Sequence, residues 1–392
     1  MRMTFNVSPQ DFIRSATRTA NHYGFAPLDT LKANPACKEC GAKVAHKDTA
    51  QDRKDDALYG ILTSGMSLYF DNKLNAIEGP ALFYSIEKTP RTGDIAVAFH
   101  VLNVQKSIAE ALTIQTIRAL LNDAAQAQSV VRINSLGDAD SVGRYSRDLT
   151  TYLRKRLDDM PPQARELMKD HVCLALMHLI EKQHPLAEKS PNPLEYLSDQ
   201  SRKHFREIVE FLDMTETPFE IDPTLTGHHK CYSDALFAID VLDTDGSPIN
   251  DGSIVIQGGR YDNFISRMTK AKVPGVGAVM ILRDKKTPNH IPKTRTKPSS
   301  IYLAQLGFGP KIRSLLILEE LRNAGIPVNQ DITSDSLSDQ LRTAEKQNAS
   351  HAVIIGHKEF MENSAIVRNL NEQNQEYVPL DSLIPYLKKA AA

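Results

Sequence analysis

The sequence predicts an α+β protein with two domains: a larger N-terminal domain built on an antiparallel sheet, and a smaller C-terminal α/β domain. Short apolar runs separated by turn residues occupy much of 58–104, and strand-like runs resume between 218 and 256, as is typical of antiparallel strands. Between 145 and 212 the apolar residues follow a helical spacing instead. After residue 300, strand and helix patterns alternate, which favours an α/β domain.

The composition limits the classes of function. A chain of 392 residues is too long for one ordinary core, so two domains are expected. Its 47 Lys and Arg residues balance 48 Asp and Glu residues, so any RNA contact would need a local basic patch. The chain has neither a run of 18 apolar residues nor an apolar N-terminal signal segment. We therefore expect a cytoplasmic protein with no membrane partner.

Composition shifts place the domain boundaries. We assign the N-terminal domain to 1–283, with a helical insertion at about 145–215. The stretch 284–299 holds three prolines and many cations, which is linker composition. The C-terminal domain then spans 300–392.

The individual elements follow from apolar spacing and turn residues. In the N-terminal domain we predict a helix over 9–23 ended by Gly24, a strand from Phe25, a meander over 58–104 and a helix over 105–127. Further strands are predicted at 130–138, 218–221, 235–239 and 253–256. In the C-terminal domain we predict strands at 301–304, 326–328, 351–355 and 366–370, and helices at 311–324 and 336–346. The sheet of this domain is expected to be mostly parallel.

The cysteines suggest reduced thiols with one candidate metal motif. The chain has four cysteines, too few and too scattered for a disulfide framework. Cys37 and Cys40 have the spacing of half a zinc knuckle, and a closed zinc site needs four ligands. His46, Cys173 or a second subunit would have to complete it. The alternative is a pair of solvent-exposed thiols without zinc.

A glycine-rich turn near the middle of the chain is the main candidate for a ligand pocket. Two adjacent glycines allow a backbone to approach a ligand closely, and Arg260 could pair with Asp262. The candidate pocket residues are Tyr232, Gly258, Gly259, Arg260 and Tyr261. One interpretation is a pocket for a small, amino-acid-like molecule. The other is that the glycines shape a bend and Arg260 braces the fold.

Several segments resemble one enzyme family. Residues 257–264 and 273–280 resemble the histidine-pocket and third signature segments of the histidyl-tRNA synthetases, 9–30 resembles the first class II motif, and 130–138 is similar to a strand end of that family. The tail resembles the anticodon-binding domain shared by the histidyl, glycyl, threonyl and prolyl synthetases. The resemblance implies a class II synthetase-like antiparallel core with an anticodon-binding-like tail, a homodimer, and tRNA as partner. ATP and Mg²⁺ are implied only if activity is retained.

The arginines that this family uses on ATP are missing. Adenylation needs cations on the triphosphate, and the rigid fork of arginine suits that task. The positions that match the family's arginines hold Tyr84 or Ser85, Thr226 and Met280. Candidate substitutes, should catalysis persist, are Arg91, Lys230, Arg260 and Arg283. Arg283 lies three residues after Met280, nearly one helical turn away if this segment is helical, and could substitute for the missing arginine only with a shift of register.

The tail offers candidate tRNA contacts. They are Arg342, Lys346, His357 and Lys358. Charged helix surfaces of this kind are also ordinary solvated surfaces.

Three functional interpretations remain open from the sequence. The first is a diverged paralogue of histidyl-tRNA synthetase that lacks aminoacylation and acts as a tRNA-related or regulatory binding protein in translation. The second is a divergent but active histidine-tRNA ligase. The third is a regulatory subunit of another enzyme, against which the complete anticodon-type tail argues.

Overall fold

The first half of the fold is a mixed eight-stranded sheet. The computed structural model describes residues 5, 7–30, 57–72, 74, 79–89, 92–227, 231–269, 272–283, 299–372 and 374–390. The strands of this sheet are β1 (Ala26–Pro27), β2 (Ala81–Lys88), β3 (Ile95–Leu102), β4 (Ser129–Ser135), β5 (Phe219–Ile221), β6 (Ala235–Val241), β7 (Ile254–Arg260) and β8 (Gly275–Leu282). Their order is β1-β2-β3-β8-β7-β6-β4-β5, antiparallel except for the two edge pairs. The predicted antiparallel core is confirmed.

Helices cover both faces of this sheet. They are α1 (Pro9–His22), α2 (Ala57–Asp71), α3 (Ile108–Ala125), α4 (Ala139–Arg154), α5 (Pro162–Asp170), α6 (Val172–Glu181), α7 (Pro185–Glu188), α8 (Asp199–Met214) and α9 (Asp262–Thr269). Apolar residues of α1, α3 and α8 pack on one face, and those of α2 and α9 pack on the other. Single 3₁₀ turns span Leu28–Thr30, Leu157–Asp159 and Pro193–Tyr196.

The meander predicted from residue 58 is wrong for its first part. Residues 57–71 form α2, and only β2 and β3 form the expected hairpin. Nine residues spread around α2 are buried, so this helix shows no polar stripe. A short, wholly apolar run is ambiguous between strand and helix in sequence, because neither period is visible.

The helical insertion differs from the predicted 145–215. Helices run from Ala139 to Met214, and α4 to α7 share a small apolar core of their own. Helix α8 instead packs into the main core through Ile208 and Phe211. The last helix of this stretch therefore belongs to the scaffold of the sheet.

The C-terminal domain is a five-stranded sheet with four helices. Its elements are β9 (Ile301–Gln305), α10 (Phe308–Asn323), β10 (Asn329–Gln330), α11 (Leu337–Lys346), β11 (His351–Ile355), α12 (His357–Met361), β12 (Ser364–Asn369), β13 (Gln375–Pro379) and α13 (Leu380–Ala390). The order is β10-β9-β11-β12-β13. Two of its four strand pairs are antiparallel, so the expectation of a mostly parallel sheet is wrong. The strand expected at 326–328 lies at Asn329–Gln330, because Pro327 precedes the short pairing with β9.

The two domains share one buried apolar cluster. It contains Ile117 of α3 in the first domain and Leu315 of α10 in the second. The C-terminal domain is thus packed against the face of the large sheet that carries α1 and α3. Most of the predicted linker, 284–298, lies outside the described residues.

Candidate functional site

Strand β2 carries the positions that match the second signature motif of the histidyl-tRNA synthetases. Its odd-numbered residues face α2, and Phe83 belongs to the apolar cluster on that side. Glu87 lies on the same side near Ser64, and burial raises the pKa of its carboxyl to about 7 against the opposing effect of the Ser64 hydrogen bond. Tyr84 points the other way, into the cluster of α1 and α3, and is only 4% exposed.

Met280 lies on that same opposite face. It is the sixth residue of β8, is fully buried, and pairs with Val97 and Ile256 on the neighbouring strands. The segment is a strand and not a helix, so Arg283 does not fall one helical turn from Met280. Arg283 is exposed where β8 ends, with one guanidinium nitrogen 2.8 Å from the point where a Gly252 Cβ would lie.

The other two candidate substitutes, Arg91 and Lys230, lie outside the described residues. Thr226 is half-buried, and its carbonyl accepts a hydrogen bond from Gln257 Nε2 at 2.8 Å. The four matched positions Tyr84, Ser85, Thr226 and Met280 therefore supply no cation for a triphosphate. ATP and Mg²⁺ do not fit these four positions.

An aromatic stack fills the sheet face beneath α2. The Tyr69 ring stacks on Phe83 with centroids 4.9 Å apart, and His100 stacks on the same ring at 4.7 Å. His100 Nδ1 lies 2.9 Å from Tyr261 Oη, and burial lowers the pKa of His100 to about 3. His100 Nε2 has no hydrogen-bond partner among the described residues and lies against Gly65. The histidine is therefore a neutral part of the core.

The glycine pair is packed against protein atoms. A Cβ on Gly258 would lie 2.4 Å from the Phe237 ring, and one on Gly259 would lie 2.5 Å from the Ala235 carbonyl oxygen. Tyr261 is fully buried, and Tyr232 is 7% exposed. The glycines serve close strand packing in this structure. The assignment of these residues to a ligand pocket stays a prediction.

Arg260 is committed to a buried ion pair. Its Nε and Nη2 donate to the two Glu110 carboxylate oxygens at 2.8 and 3.0 Å, and His204 Nε2 lies 2.9 Å from the same carboxylate. Burial by itself would raise the pKa of Glu110, but Arg260 and His204 hold it at about 2. The expected partner Asp262 lies farther away, at 3.6 Å. This geometry matches the interpretation in which Arg260 braces the fold.

Glu110 and His204 were not anticipated from the sequence. Glu110 is the only acid in the first four turns of a largely apolar helix, and that isolated carboxylate was the available signal. His204 carries no comparable signal, since it lies on a helix with many charges.

The four candidate tRNA contacts do not form one patch. Helix α11 packs on one face of the C-terminal sheet, and Arg342 pairs with Asp339 of its own helix at 3.3 Å. Helix α12 packs through Phe360 into the cluster on the other face. Next to exposed His357, the Lys358 ammonium lies 5.3 Å from the ring centroid of Tyr377, whose side chain is exposed.

The metal prediction concerns Cys37 and Cys40, with His46, Cys173 or a second subunit as further ligands. Cys37 and Cys40 lie outside the described residues. In the part of the chain that the structure describes, no group of three His, Cys, Asp or Glu residues could hold a metal ion. Cys173 is half-buried in α6, and burial raises the pKa of its thiol to about 11.

A cleft of about 1080 Å³ lies between α1 and the C-terminal domain. Arg14, Arg18 and Arg322 line it, and each forms an ion pair, Arg14 with Asp11 and the other two with Asp123. These arginines therefore have a structural explanation. None of the four matched motif positions is among the described residues that line the cleft.

Comparison with known proteins places the chain. A profile of the anticodon binding domain matches residues 315–390. The histidine–tRNA ligase of Geobacillus thermodenitrificans is 25% identical over 346 residues, which cover 84% of this chain and 76% of the ligase. That of Symbiobacterium thermophilum is 28% identical over 270 residues, covering 67% and 61%. Over most of its length, the chain is therefore similar to histidine–tRNA ligases. Its tail is an anticodon-binding domain.

Solved structures of similar proteins include the apo histidyl-tRNA synthetase of S. aureus, at 18% identity, a TM-score of 0.45 and coverage of 81% of this chain and 80% of that one. Another is described as an ATP phosphoribosyltransferase regulatory subunit/histidyl-tRNA synthetase from Bacillus halodurans C, at 13% identity and a TM-score of 0.42, covering 89% and 94%. No helix among the described residues is long and apolar enough to cross a membrane.

Proposed function

We propose that this protein is a histidyl-tRNA synthetase-like binding protein that does not adenylate histidine. The observation that carries the proposal is the placement of the matched motif positions. Tyr84 and Met280 are buried on the face of the sheet that packs against α1 and α3, where no substrate could reach them. The cation that the chain keeps nearby, Arg260, is neutralised by Glu110.

Chemistry supports the same conclusion. Transfer of an adenylyl group requires fixed positive charge around the α-phosphate as the carboxylate attacks. A triphosphate placed over β2 and β8 would meet Ser85 and Glu87 on β2, and neither side chain supplies a cation for the phosphates. The fold can be kept without the activity, because function resides in the site.

The decisive experiment is ATP–pyrophosphate exchange with histidine. We expect no histidine-dependent exchange above the rate without enzyme. A histidyl-tRNA synthetase of the Geobacillus type, assayed in parallel, controls for the assay. Robust exchange by this chain would overturn the proposal.

A divergent but active histidine–tRNA ligase is the second candidate, because the curated relatives described above bear that name. It requires Arg91, Lys230 or Arg283 to supply the missing charge. The triple variant Arg91→Gln, Lys230→Gln, Arg283→Gln would then abolish the exchange that the wild-type chain showed.

For the binding role, we propose tRNA as the ligand of the anticodon-binding domain and a homodimer as the assembly. Cytoplasmic localisation is proposed with them. Electrophoretic mobility of total tRNA at 50 and 200 mM salt tests tRNA binding, since phosphate-driven affinity falls steeply with salt. Light scattering tests the dimer.

A further inference from the structure

The contact between the two domains contains a buried polar network beside the shared apolar cluster. We call this network the interdomain joint and define it by five residues: Thr19 of α1, Tyr23 directly after α1, Asp123 of α3, and Glu319 and Arg322 of α10. The Arg322 side chain is 7% exposed and that of Asp123 is 12% exposed. Interfaces between domains of one chain are ordinarily polar and allow relative motion.

Arg322 is the centre of the joint. Its guanidinium pairs with Glu319 on its own helix and with Asp123 on α3 of the other domain. Tyr23 Oη donates to Glu319 at 2.6 Å, and Thr19 Oγ1 donates to Asp123 at 2.8 Å. Each carboxylate therefore receives bonds from both domains, and neither domain satisfies the joint alone.

The contacts around the joint point the same way. His22 Nε2 donates to the Leu318 carbonyl at 2.8 Å, and Gln115 Nε2 donates to the Leu315 carbonyl at 3.1 Å. Gln330 Nε2 donates to the Tyr23 carbonyl at 2.9 Å. The bonds to Leu315 and Leu318, the joint itself and the shared apolar cluster therefore occupy one side of α10 along its last three turns.

Separation of the domains would take Arg322 away from Asp123, and Glu319 away from Tyr23. Breaking a buried ion pair by losing one partner leaves an uncompensated charge, which is strongly unfavourable. Burial and the contact with Glu319 raise the pKa of Tyr23 well above its ordinary value, and Arg322 with Tyr23 holds the pKa of Glu319 below its ordinary value despite burial. Both pKa shifts are in the direction expected when Tyr23 stays protonated and donates to an ionised Glu319.

We propose that the interdomain joint locks the anticodon-binding domain onto the core of the same chain, so that the two domains unfold as one cooperative unit. The tail is then a fixed part of the molecule and presents any bound ligand at a constant position relative to the large sheet. This inference is independent of whether histidine is adenylated.

The test compares two arginines of the same helix in the full-length chain. Arg322→Met removes the centre of the joint. Arg313→Met is the matched control, because Arg313 is half-buried on α10 and is none of the five joint residues. Calorimetry counts the unfolding transitions, and hydrogen exchange follows the peptides of α1 and α10.

We expect one transition for the wild-type chain and for Arg313→Met. For Arg322→Met we expect two transitions, with exchange roughly tenfold faster in both α1 and α10. Faster exchange in α10 alone would mean a local effect and would overturn the proposal. Two transitions in the wild-type chain would also overturn it.

Two further measurements keep the test decisive. If Arg322→Met does not fold, Tyr23→Phe removes one hydroxyl from the joint and should shift exchange in both helices in the same direction by a smaller factor. Absence of any shift would contradict the lock. Cross-linking of a mixture of unlabelled and isotope-labelled chains distinguishes a joint made within one chain from one exchanged between the two copies of the proposed homodimer. Cross-links that join α1 of one copy to α10 of the other would overturn the assignment to a single chain.

Discussion

At the scale of residues, this chain uses buried and half-buried cations for structure. Arg260 pairs with Glu110, Arg322 with Asp123, and Arg132 with Asp240. Each of these pairs joins elements distant in sequence. A cation held in this way is neutralised and positioned by the fold, so its presence in a family motif does not by itself indicate catalysis.

The first prediction concerns Arg260. Arg260→Met should destabilise the protein by about 3–5 kcal/mol, because the Glu110 carboxylate is left buried with only His204 as its partner. Urea unfolding measures the change. Arg147→Gln, an exposed arginine on α4, is the control and should change stability by less than about 0.5 kcal/mol. If Arg260→Met lost as little stability as Arg147→Gln, the structural role of Arg260 would be refuted.

The second prediction concerns the third-motif position. Met280→Arg restores the residue type of the family but places a charge on the buried face of β8. It should lose several kcal/mol of stability and should not create ATP–pyrophosphate exchange. Met280→Leu keeps the apolar volume and should cost less than about 1.5 kcal/mol. Exchange activity in Met280→Arg would show that this position faces the substrate.

The third prediction concerns pH. His100 has a folded pKa of about 3 against an ordinary 6.5. As pH falls from 6.5 toward 3, the unfolded chain binds a proton that the folded chain does not, so this group makes stability fall. His100→Phe should flatten the acid side of the stability curve relative to wild type. The free energy of unfolding is measured in urea between pH 6.5 and 4. An equal dependence on pH in His100→Phe and in the wild-type chain would contradict the neutral, buried histidine.

Glu87 acts in the opposite direction and serves as the comparison. Its folded pKa of about 7 lies above the ordinary 4.5, so its contribution to stability is lost as pH rises from 4.5 to 7. Glu87→Gln should therefore gain stability relative to wild type at pH 8 and not at pH 4.

At the scale of elements, close packing of α2 on the sheet decides the character of the candidate site. The helix approaches β3 and β8 at two glycines. A Cβ on Gly65 would lie 2.7 Å from His100 Nε2, and one on Gly277 would lie 2.5 Å from the Tyr261 ring. Such distances leave no room for a side chain without movement. The helix and the aromatic stack therefore form one packed layer.

The fourth prediction uses two glycines in helices. Gly65→Ala should destabilise by about 1–3 kcal/mol, because the added methyl group overpacks the contact with His100. Gly143→Ala is the matched control, since nothing lies within 4 Å of its Cβ position on α4. It should stabilise the chain by about 0.4–1 kcal/mol through helix propensity. Equal effects of the two substitutions in thermal unfolding would contradict the packing of α2.

At the scale of the whole molecule, the tail presents two separate basic regions. One is on α11, with Arg342 and Lys346. The other is where α12 meets the edge strand β13, with Lys358 above Tyr377, which is 57% exposed. A single-stranded base can stack on an exposed aromatic ring while the neighbouring cation contacts its phosphate, and a charge without a ring offers only the second contact.

The fifth prediction therefore separates the two regions. Lys358→Gln with Tyr377→Ala should weaken tRNA binding about tenfold or more and reduce the salt slope by about 1. Arg342→Gln with Lys346→Gln should change binding by less than about twofold. Fluorescence titration at several salt concentrations measures both. The reverse ranking would assign the RNA contact to α11.

Local patterns were sufficient for much of the fold. Helix α1 shows a regular apolar spacing with Ser8 as its cap and Gly24 after its end, and it was predicted to within one residue. Helix α2 was missed because its surroundings are apolar on nearly every side. The antiparallel pairing of β12 with β13 was missed because no strand was predicted over Gln375–Pro379, although the connection 370–374 is too short for a parallel crossover.

The sequence by itself determined the resemblance to the histidyl-tRNA synthetases, the order of the domains and the absence of arginine at the three motif positions, because residue identity at matched positions needs no coordinates. Only the tertiary structure decided where the remaining charges act. Glu110 and Arg260 are separated by 150 residues, and Tyr23 and Glu319 by 296. Partners so far apart in the chain meet only through sheet pairing and domain packing, and their geometry alone distinguishes a bracing cation from a catalytic one.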